Sequence, residues 1–155
     1  MDAPTLPLDG GCRCGAIRLR VTGAPLLTGA CHCTGCQRMS ASAFSLTLTV
    51  PSDGFAVTRG QPVIGGLHDA AVRHHHCDRC KSWIFTRVEP DIGFVNVRAT
   101  MLDDHGWFVP FIETWTREKL SWAKTPARHS FETQPPLENY RALIADYAST
   151  SSLAG

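Results

Sequence analysis

Cys12-Arg13-Cys14 and Cys77-Asp78-Arg79-Cys80 are the two stretches of this sequence that decide its fold. Each holds a pair of cysteines at chelating spacing, and together they supply four thiolates, the ligand set of a closed tetrahedral zinc site. Sixty-two residues separate Cys14 from Cys77, so a shared ion would tie the start of the chain to its middle. Because a structural zinc contributes about 10 kcal/mol of folding free energy, we expect these four cysteines to hold the fold together.

A third cluster, Cys31-His32-Cys33-Thr34-Gly35-Cys36, brings three thiolates together within one short loop. A zinc ion with three protein ligands keeps one position open for water or substrate. Cys31, Cys33 and Cys36 therefore predict a second zinc site that could carry out chemistry. The alternative is a second closed site, completed by His32 or by one of the histidines at 74–76. The residues alone leave both possibilities open.

A disulfide framework is the competing interpretation of these cysteines. Their number is seven, so full pairing would leave one thiol over. The first residues have neither a basic region nor an apolar run typical of a secretory signal, and no apolar run reaches the roughly 18 residues of a membrane helix. These features favour a reducing, cytoplasmic compartment, where clustered cysteines bind metals.

Size and charge narrow the class of protein further. A chain of 155 residues is typical of one domain with its own core, and we expect a single zinc-binding domain over 1–155. The net charge is +1 and the basic residues alternate with acidic ones, whereas binding to nucleic acid normally needs a concentrated basic face. The sequence predicts neither a nucleic-acid partner nor membrane insertion, and it does not reveal the oligomeric state.

Alternation with a period of two dominates the first two thirds of the chain and predicts short strands. In the clearest example Leu46, Leu48 and Val50 alternate with hydroxyl residues. Strands are predicted over 12–21, 26–30, 44–50, 55–58, 62–67, 72–76, 82–87, 93–98 and 112–116, and the segment up to Gly11 is predicted to be a loose lead-in. The pattern indicates a mainly antiparallel β domain.

One helix is predicted near the C-terminus, over about 136–148. Leu137, Tyr140, Leu143, Ile144 and Tyr147 recur at the helical interval directly after two prolines, which can begin a helix but cannot extend one. We expect this helix to pack on the β domain.

The ordered set of cysteine clusters resembles the glutathione-dependent formaldehyde-activating enzyme family, which is also named for centromere protein V. The resemblance lies in Gly10-Gly11-Cys12-Arg13-Cys14-Gly15, in 31–38 followed by Ser42-Ala43-Phe44, in 77–80, and in Leu102-Asp103-Asp104, and it covers about residues 8–125. The sequence departs from the family pattern in three respects. Lys81 stands where glycine is usual, and His74-His75-His76 replaces a more apolar segment. Glu113-Thr114-Trp115 stands where a His-Ile-aromatic segment is common, and Ser121-Trp122 where Pro-Trp is common.

The resemblance implies a β-tent, two antiparallel β-sheets that lean together. It also implies two zinc ions per chain, a structural one at Cys12, Cys14, Cys77 and Cys80 and a catalytic one at Cys31, Cys33 and Cys36. The implied activity is that of a carbon–sulfur lyase similar to S-hydroxymethylglutathione synthase, which condenses formaldehyde with glutathione.

We therefore expect a cytoplasmic zinc enzyme that adds a small aldehyde to glutathione or a related small thiol. The thiol would be held as a thiolate at the open zinc position and would attack the aldehyde beside it. The alternative is a non-catalytic zinc-binding module that binds a protein or a small ligand. Such a module should have a closed second zinc site and an exposed apolar patch.

Overall fold

Two β-sheets make up most of the structure, a computed structural model that describes residues 4–67 and 69–150. The small sheet is antiparallel and contains, in chain order, β1 (Leu8–Gly11), β2 (Arg18–Val21) and β5 (Phe55–Arg59). The large sheet contains β3 (Leu27–Cys31), β4 (Ser45–Pro51), β6 (Val63–Ile64), β7 (Val72–His76), β8 (Trp83–Val88), β9 (Phe94–Arg98), β10 (Ile112–Thr114) and β11 (His129–Ser130). Its spatial order is β11-β10-β3-β4-β9-β8-β7-β6.

The main core lies between the two sheets. Phe55 of the small sheet packs against Phe85 of the large sheet with their ring centroids 4.9 Å apart. Strand β4 shows why alternation predicts this packing, because Leu48 and Val50 point into the core and are fully buried. Burial of one such side chain stabilises the fold by about 1.5–3 kcal/mol. The prediction of a mainly β protein with two sheets is confirmed.

The segment up to Gly11, predicted to be a loose lead-in, instead contains β1. This strand pairs along its whole length with β2, and Gly10 also bridges to Leu102. A Cβ atom at Gly10 would lie 2.4 Å from the carbonyl oxygen of Met101, so only glycine permits this approach. The close packing that requires glycine also removes the side-chain alternation by which a strand is recognised.

The strand predicted over 12–21 is shorter than expected. Only Arg18–Val21 is β2, and the preceding residues form a turn in which the Gly15 N–H donates to the Cys12 carbonyl at 2.9 Å. Gly15 has a φ of 75°, a left-handed conformation that glycine adopts without strain. The first cysteine pair therefore lies in a turn and not on the face of a strand.

The expectation of two antiparallel sheets holds only in part, because one edge of the large sheet is parallel. Strand β10 runs parallel to both β3 and β11. Its register places Glu113 opposite Ala30 and Thr114 opposite Cys31. This crossover brings a distant segment beside the third cysteine cluster, which alternation within single strands could not predict.

Two α-helices occur in the described residues, α1 (Thr34–Ser40) and α2 (Tyr140–Thr150). The predicted C-terminal helix is confirmed as a 3₁₀ turn at Leu137–Asn139 that continues into α2. Leu143 and Tyr147 of α2 are buried against the large sheet, on a second apolar cluster with Phe111. Among the described residues, no helix has the length and apolar character needed to cross a membrane.

Candidate metal centres and the adjoining cavity

The four-cysteine cluster is assembled by two turns from distant parts of the chain. In the first turn the Cys12 Sγ accepts a hydrogen bond from the Ile17 N–H at 3.3 Å. In the second, which joins β7 to β8, the Cys77 Sγ accepts from the Cys80 N–H at 3.5 Å. Backbone N–H groups that point at sulfur stabilise thiolates, so both turns are built to present charged ligands.

The sulfur geometry of this cluster suits a tetrahedral zinc ion. The Sγ atoms of Cys12, Cys14, Cys77 and Cys80 all lie within 4.8 Å of one another. Cys14 Sγ is 3.6 Å from Cys12 Sγ and 3.7 Å from Cys77 Sγ. Four sulfurs about 2.3 Å from a common zinc would be about 3.8 Å apart. The structure thus places the predicted four cysteines in an arrangement that fits one metal ion.

The residue that follows this cluster adopts an unusual backbone conformation. Lys81 has a φ of 61°, in the left-handed region, and its N–H donates to the Cys77 carbonyl at 2.9 Å. Residues with a Cβ atom are strained in this region, whereas glycine is not. The departure from glycine noted in the sequence therefore falls at a position where glycine has a physical reason to occur.

The three-cysteine cluster forms where β3 meets α1. Cys31 ends β3, Cys33 caps the N-terminus of α1 by accepting the Cys36 N–H at 3.3 Å, and Cys36 lies in the first helical turn. Their three Sγ atoms lie within 4.8 Å of one another, close enough to share one metal ion. The short helix begins at this point because a thiolate cap satisfies an otherwise unpaired N–H group.

Charge within this cluster is shared between the sulfurs. A hydrogen bond from the Cys36 thiol lowers the pKa of Cys31 to about 5, and the same contact raises the pKa of Cys36. Thr114, opposite Cys31 in the parallel pair, makes a smaller contribution in the same direction to the pKa of Cys31. Sulfurs that compete for a proton in this way are suited to a shared cation, which stabilises all of them as thiolates.

His32 supports the three-cysteine loop through a buried contact with Glu113. It is fully buried, and its Nε2 lies 2.9 Å from Glu113 Oε2. Glu113 also accepts hydrogen bonds from Lys119 at 3.0 Å, Thr125 at 2.8 Å and Ser130 at 2.6 Å. Burial raises the pKa of Glu113, but the hydrogen bonds from Ser130, Lys119, Thr125 and His32 outweigh it and lower the pKa to about 2.

No histidine joins either cluster among the residues that the structure describes, where the two groups suited to a metal consist of cysteines alone. His75 stacks on Phe85 with ring centroids 4.4 Å apart. His74 and His76 instead lie beside Trp83, and His74 hydrogen-bonds to Thr86 at 2.9 Å. Members of the run therefore point to different sides of the strand, as its period predicts, and the alternative of a histidine that closes the second site finds no support.

A cavity of about 490 Å³ opens beside the three-cysteine cluster, on the face of the large sheet that is turned away from the core. Cys31 and Cys36 lie in its wall, and so do the three hydroxyl residues that alternate with the core residues of β4. These are Ser45, Thr47 and Thr49. A volume of this size is typical of small-molecule sites. The polar face of β4 thus lines a cavity that lies next to a candidate metal centre.

The C-terminal segment covers this cavity. Gln134, Leu137, Tyr140 and Ile144, from α2 and the turns before it, complete the wall. The predicted helix therefore has a place in the candidate site that its amphipathic pattern did not indicate.

Sequence reasoning missed two buried charged residues near the cluster, Glu113 and Arg98. Arg98 lines the cavity and is 7% exposed. In β9, Asn96 and Arg98 alternate with Val95 and Val97, so the sequence does place Arg98 on a polar face of the strand. Such a face ordinarily contacts solvent, and the pattern therefore does not indicate burial. Only the covering segment from the C-terminus shows that this face is enclosed.

Fold and site together define a mainly β protein with two cysteine clusters suited to metal ions. Residues 7–118 match the family model described as "Glutathione-dependent formaldehyde-activating enzyme". This match covers most of the chain, so the protein belongs to the glutathione-dependent formaldehyde-activating enzyme family. The resemblance found in the cysteine motifs is confirmed.

Two relatives with similar sequences both carry the name "Putative glutathione-dependent formaldehyde-activating enzyme". The protein from Penicillium rubens is 30% identical over 107 residues, which cover 64% of this chain and 55% of the relative. The protein from Halomonas elongata is 30% identical over 95 residues, which cover 55% of this chain and 60% of the relative. The chain thus spans little more than half the length of the curated relatives it matches.

A solved structure supports the fold. The crystal structure of a Rhodobacter sphaeroides protein superimposes with a TM-score of 0.52 at 19% identity, covering 61% of this chain and 87% of the other. At this identity the likeness concerns the fold alone.

Proposed function

We propose that this protein is a zinc-dependent carbon–sulfur lyase that adds a small aldehyde, formaldehyde in the first instance, to the thiol of glutathione or a related small thiol. The observation that carries the proposal is the position of Cys31 and Cys36 in the wall of a cavity large enough for such a thiol. The family name supports the choice of glutathione and formaldehyde.

The two clusters receive different roles in this proposal. Cys12, Cys14, Cys77 and Cys80 hold a structural zinc, because four sulfurs complete a tetrahedron and leave no position for a substrate. Cys31, Cys33 and Cys36 hold a catalytic zinc. When bound there, zinc supplies a Lewis acid that keeps a thiol ionised at neutral pH.

The reaction is balanced without any oxidant or reductant. The thiol sulfur forms a bond to the aldehyde carbon, the carbon–oxygen π bond opens, and the proton lost by the thiol ends on the new hydroxyl group. Ser45 and Thr114 line the cavity near the cysteines and provide hydroxyl donors for the oxygen atom on which charge develops. The reverse reaction breaks the same carbon–sulfur bond, which makes the enzyme a lyase.

The arrangement of the second cluster favours an enzyme over a non-catalytic binding module. A binding module was expected to close its second zinc site with a fourth protein ligand, and within residues 4–67 and 69–150 the three sulfurs have no such partner.

The clustered free thiols also favour a reducing compartment, and we propose the cytoplasm.

The proposal is tested by measuring, with exchange NMR, the rate at which glutathione and formaldehyde combine. The rate with the protein is compared with the rate of the uncatalysed reaction. The zinc-loaded protein should accelerate adduct formation, and Cys33→Ser should lose at least about 100-fold of that acceleration because it removes a ligand from the reacting centre. Zinc content and folding of both proteins are measured in parallel. An equal rate in wild type and variant would remove the three-cysteine cluster from the chemistry.

A further inference from the structure

Arg98 is a buried guanidinium for which the described part of the chain provides no carboxylate. Its Nη1 donates to Ser45 Oγ at 3.3 Å and its Nη2 to the Asn96 carbonyl at 3.4 Å, both long for hydrogen bonds. Its Nε is buried without any hydrogen-bond acceptor. The guanidinium lies over the Trp83 ring, 4.2 Å from its centroid.

Such a group normally has an anionic partner. A guanidinium carries five N–H donors in a planar fork that matches a carboxylate, and buried charges in proteins are almost always paired. Burial lowers the pKa of Arg98 to about 10, which still leaves it charged at neutral pH. The stacking on Trp83 holds the plane of the fork without using its hydrogen-bond donors.

Arg98, whose N–H donors are not all used within the protein, lines the substrate cavity. Arg98 and Ser45 both line the cavity, and no Asp, Glu or Lys lies among the described residues that form its wall. Ser45 connects the arginine to the cysteine cluster, because its hydroxyl accepts from Arg98 and it pairs with Cys31 in the sheet. A single small molecule could therefore contact Arg98 with an anionic group and the cysteine sulfurs with its thiol.

We infer that Arg98 binds a carboxylate of the thiol substrate. This inference rests on the proposed function, in that it names the part of the thiol substrate that the cavity recognises. Two parallel hydrogen bonds from the guanidinium to the carboxylate would fix the orientation of the bound molecule. Its thiol would then point towards Cys31 and Cys36.

A different role for Arg98 would also explain its buried position near the cysteines. Negative charge on Cys36 and Cys31 raises the pKa of Arg98, so the arginine could serve only to balance the charge of the cysteine cluster. In that case loss of Arg98 would weaken metal binding at the cluster, and the carboxylate of a ligand would not matter.

The test measures binding of S-methylglutathione, whose sulfur cannot act as a thiolate, and of its diethyl ester, in which both carboxylates are blocked. Calorimetry is carried out on the zinc-loaded protein as wild type, Arg98→Gln and Arg98→Lys. Arg87→Gln is the matched control, because the Arg87 guanidinium lies over Phe55 and Phe85 in the core and not in the cavity.

Wild type should bind S-methylglutathione at least about tenfold more tightly than the diester, and Arg98→Gln should lose about tenfold in affinity for the acid alone. Arg98→Lys should fall between them, since lysine keeps the charge without the fork. Arg87→Gln should bind as wild type does. The comparison of acid and ester in wild type holds even where an Arg98 variant fails to fold.

Three results would overturn the inference: no preference of wild type for the acid, an equal loss of acid and ester in Arg98→Gln, or loss of zinc from the three-cysteine cluster in that variant. Failure of the proposed function has a different signature. Binding that depends on both Arg98 and carboxylate, in a protein that does not accelerate the formaldehyde reaction, would remove the reaction and keep the binding site.

Discussion

The two cysteine clusters use the same side chain in different surroundings. Cys12 and Cys77 of the four-cysteine cluster are 6% and 1% exposed and belong to the core between the sheets, whereas Cys31 and Cys36 of the three-cysteine cluster line a cavity. The first cluster joins segments 63 positions apart, and the second is contained in one loop. A metal at the first site would close a long loop of chain, while a metal at the second would restrict very little of it.

The two clusters also differ in what lies behind them. The four-cysteine cluster is backed by apolar core residues, whereas the three-cysteine loop rests on the polar contact between His32 and Glu113. A polar support with several hydrogen bonds fixes orientation more narrowly than apolar packing does. This difference is what a structural and a reactive site would require.

The largest effect is expected for Cys77→Ser. The substitution removes a ligand from the four-cysteine cluster, and a structural zinc contributes about 10 kcal/mol, which is comparable to the whole net stability of a typical domain. The variant should fail to fold or should lose its cooperative thermal transition, as measured by circular dichroism together with zinc analysis. A Cys77→Ser protein that melts within a few degrees of wild type would show that this cluster does not hold the fold.

Cys36→Ser should separate function from stability. We expect it to lose one zinc per chain and about 100-fold or more of the activity, while the free energy of unfolding falls by no more than about 2 kcal/mol. Zinc analysis, adduct kinetics and denaturant unfolding of the same preparation measure the three quantities. If Cys36→Ser were as unstable as Cys77→Ser, the two clusters would not differ in role.

Glu113→Gln should lower the free energy of unfolding by about 3 kcal/mol at neutral pH, since the folded pKa of about 2 lies about 2.5 below the ordinary value. A lowered carboxyl pKa stabilises the fold above the unfolded pKa, and this stabilisation is lost as the pH falls towards the folded pKa. The groups that face Glu113 are His32, Lys119, Thr125 and Ser130.

The difference between wild type and Glu113→Gln should therefore stay constant from about pH 7 to about pH 5.5, and should shrink by about 1 kcal/mol near about pH 3.5. Exposed Glu132 provides the matched control, and Glu132→Gln should change stability by less than about 0.5 kcal/mol. A pH-independent difference for Glu113→Gln would mean that its carboxylate does not hold the loop through charge.

The smallest effect is expected for Lys81→Gly, which relieves the left-handed strain beside the four-cysteine cluster. The free energy of unfolding should rise by about 0.5–1 kcal/mol in denaturant titrations. Lys81→Ala is the control, because it keeps the Cβ atom and removes only the exposed ion pair with Asp78. A gain in Lys81→Ala equal to that in Lys81→Gly would assign the effect to the side chain and not to the backbone.

Local patterns predicted much of the fold. Strand β4 and helix α2 lie where alternation and helical spacing place them, because each buries one face against neighbours. Strand β1 was missed because its glycines carry no side chains, and β11 because two residues show no period. The parallel pairing of β10 with β3 depends on a long crossover, which no local pattern records.

The candidate site also contains residues that the sequence predicts and residues that it does not predict. Cysteines that can share a metal are recognisable by their spacing within each cluster, so the sequence alone predicts both groups as ligands. Arg98 and Glu113 carry no such signal, because their importance arises from burial by segments far away in the sequence. The cavity likewise exists only where α2 and its preceding turns cover the sheet.

The most direct test of the central claim, that one cluster is closed and the other accepts an external thiol, is a glutathione titration of the cobalt-substituted protein followed by near-ultraviolet absorption. We predict that sulfur-to-cobalt absorption rises and saturates at about one glutathione per chain. The rise should be absent with S-methylglutathione and absent in Cys36→Ser. A spectrum that glutathione leaves unchanged, or a change that persists in Cys36→Ser, would contradict the account.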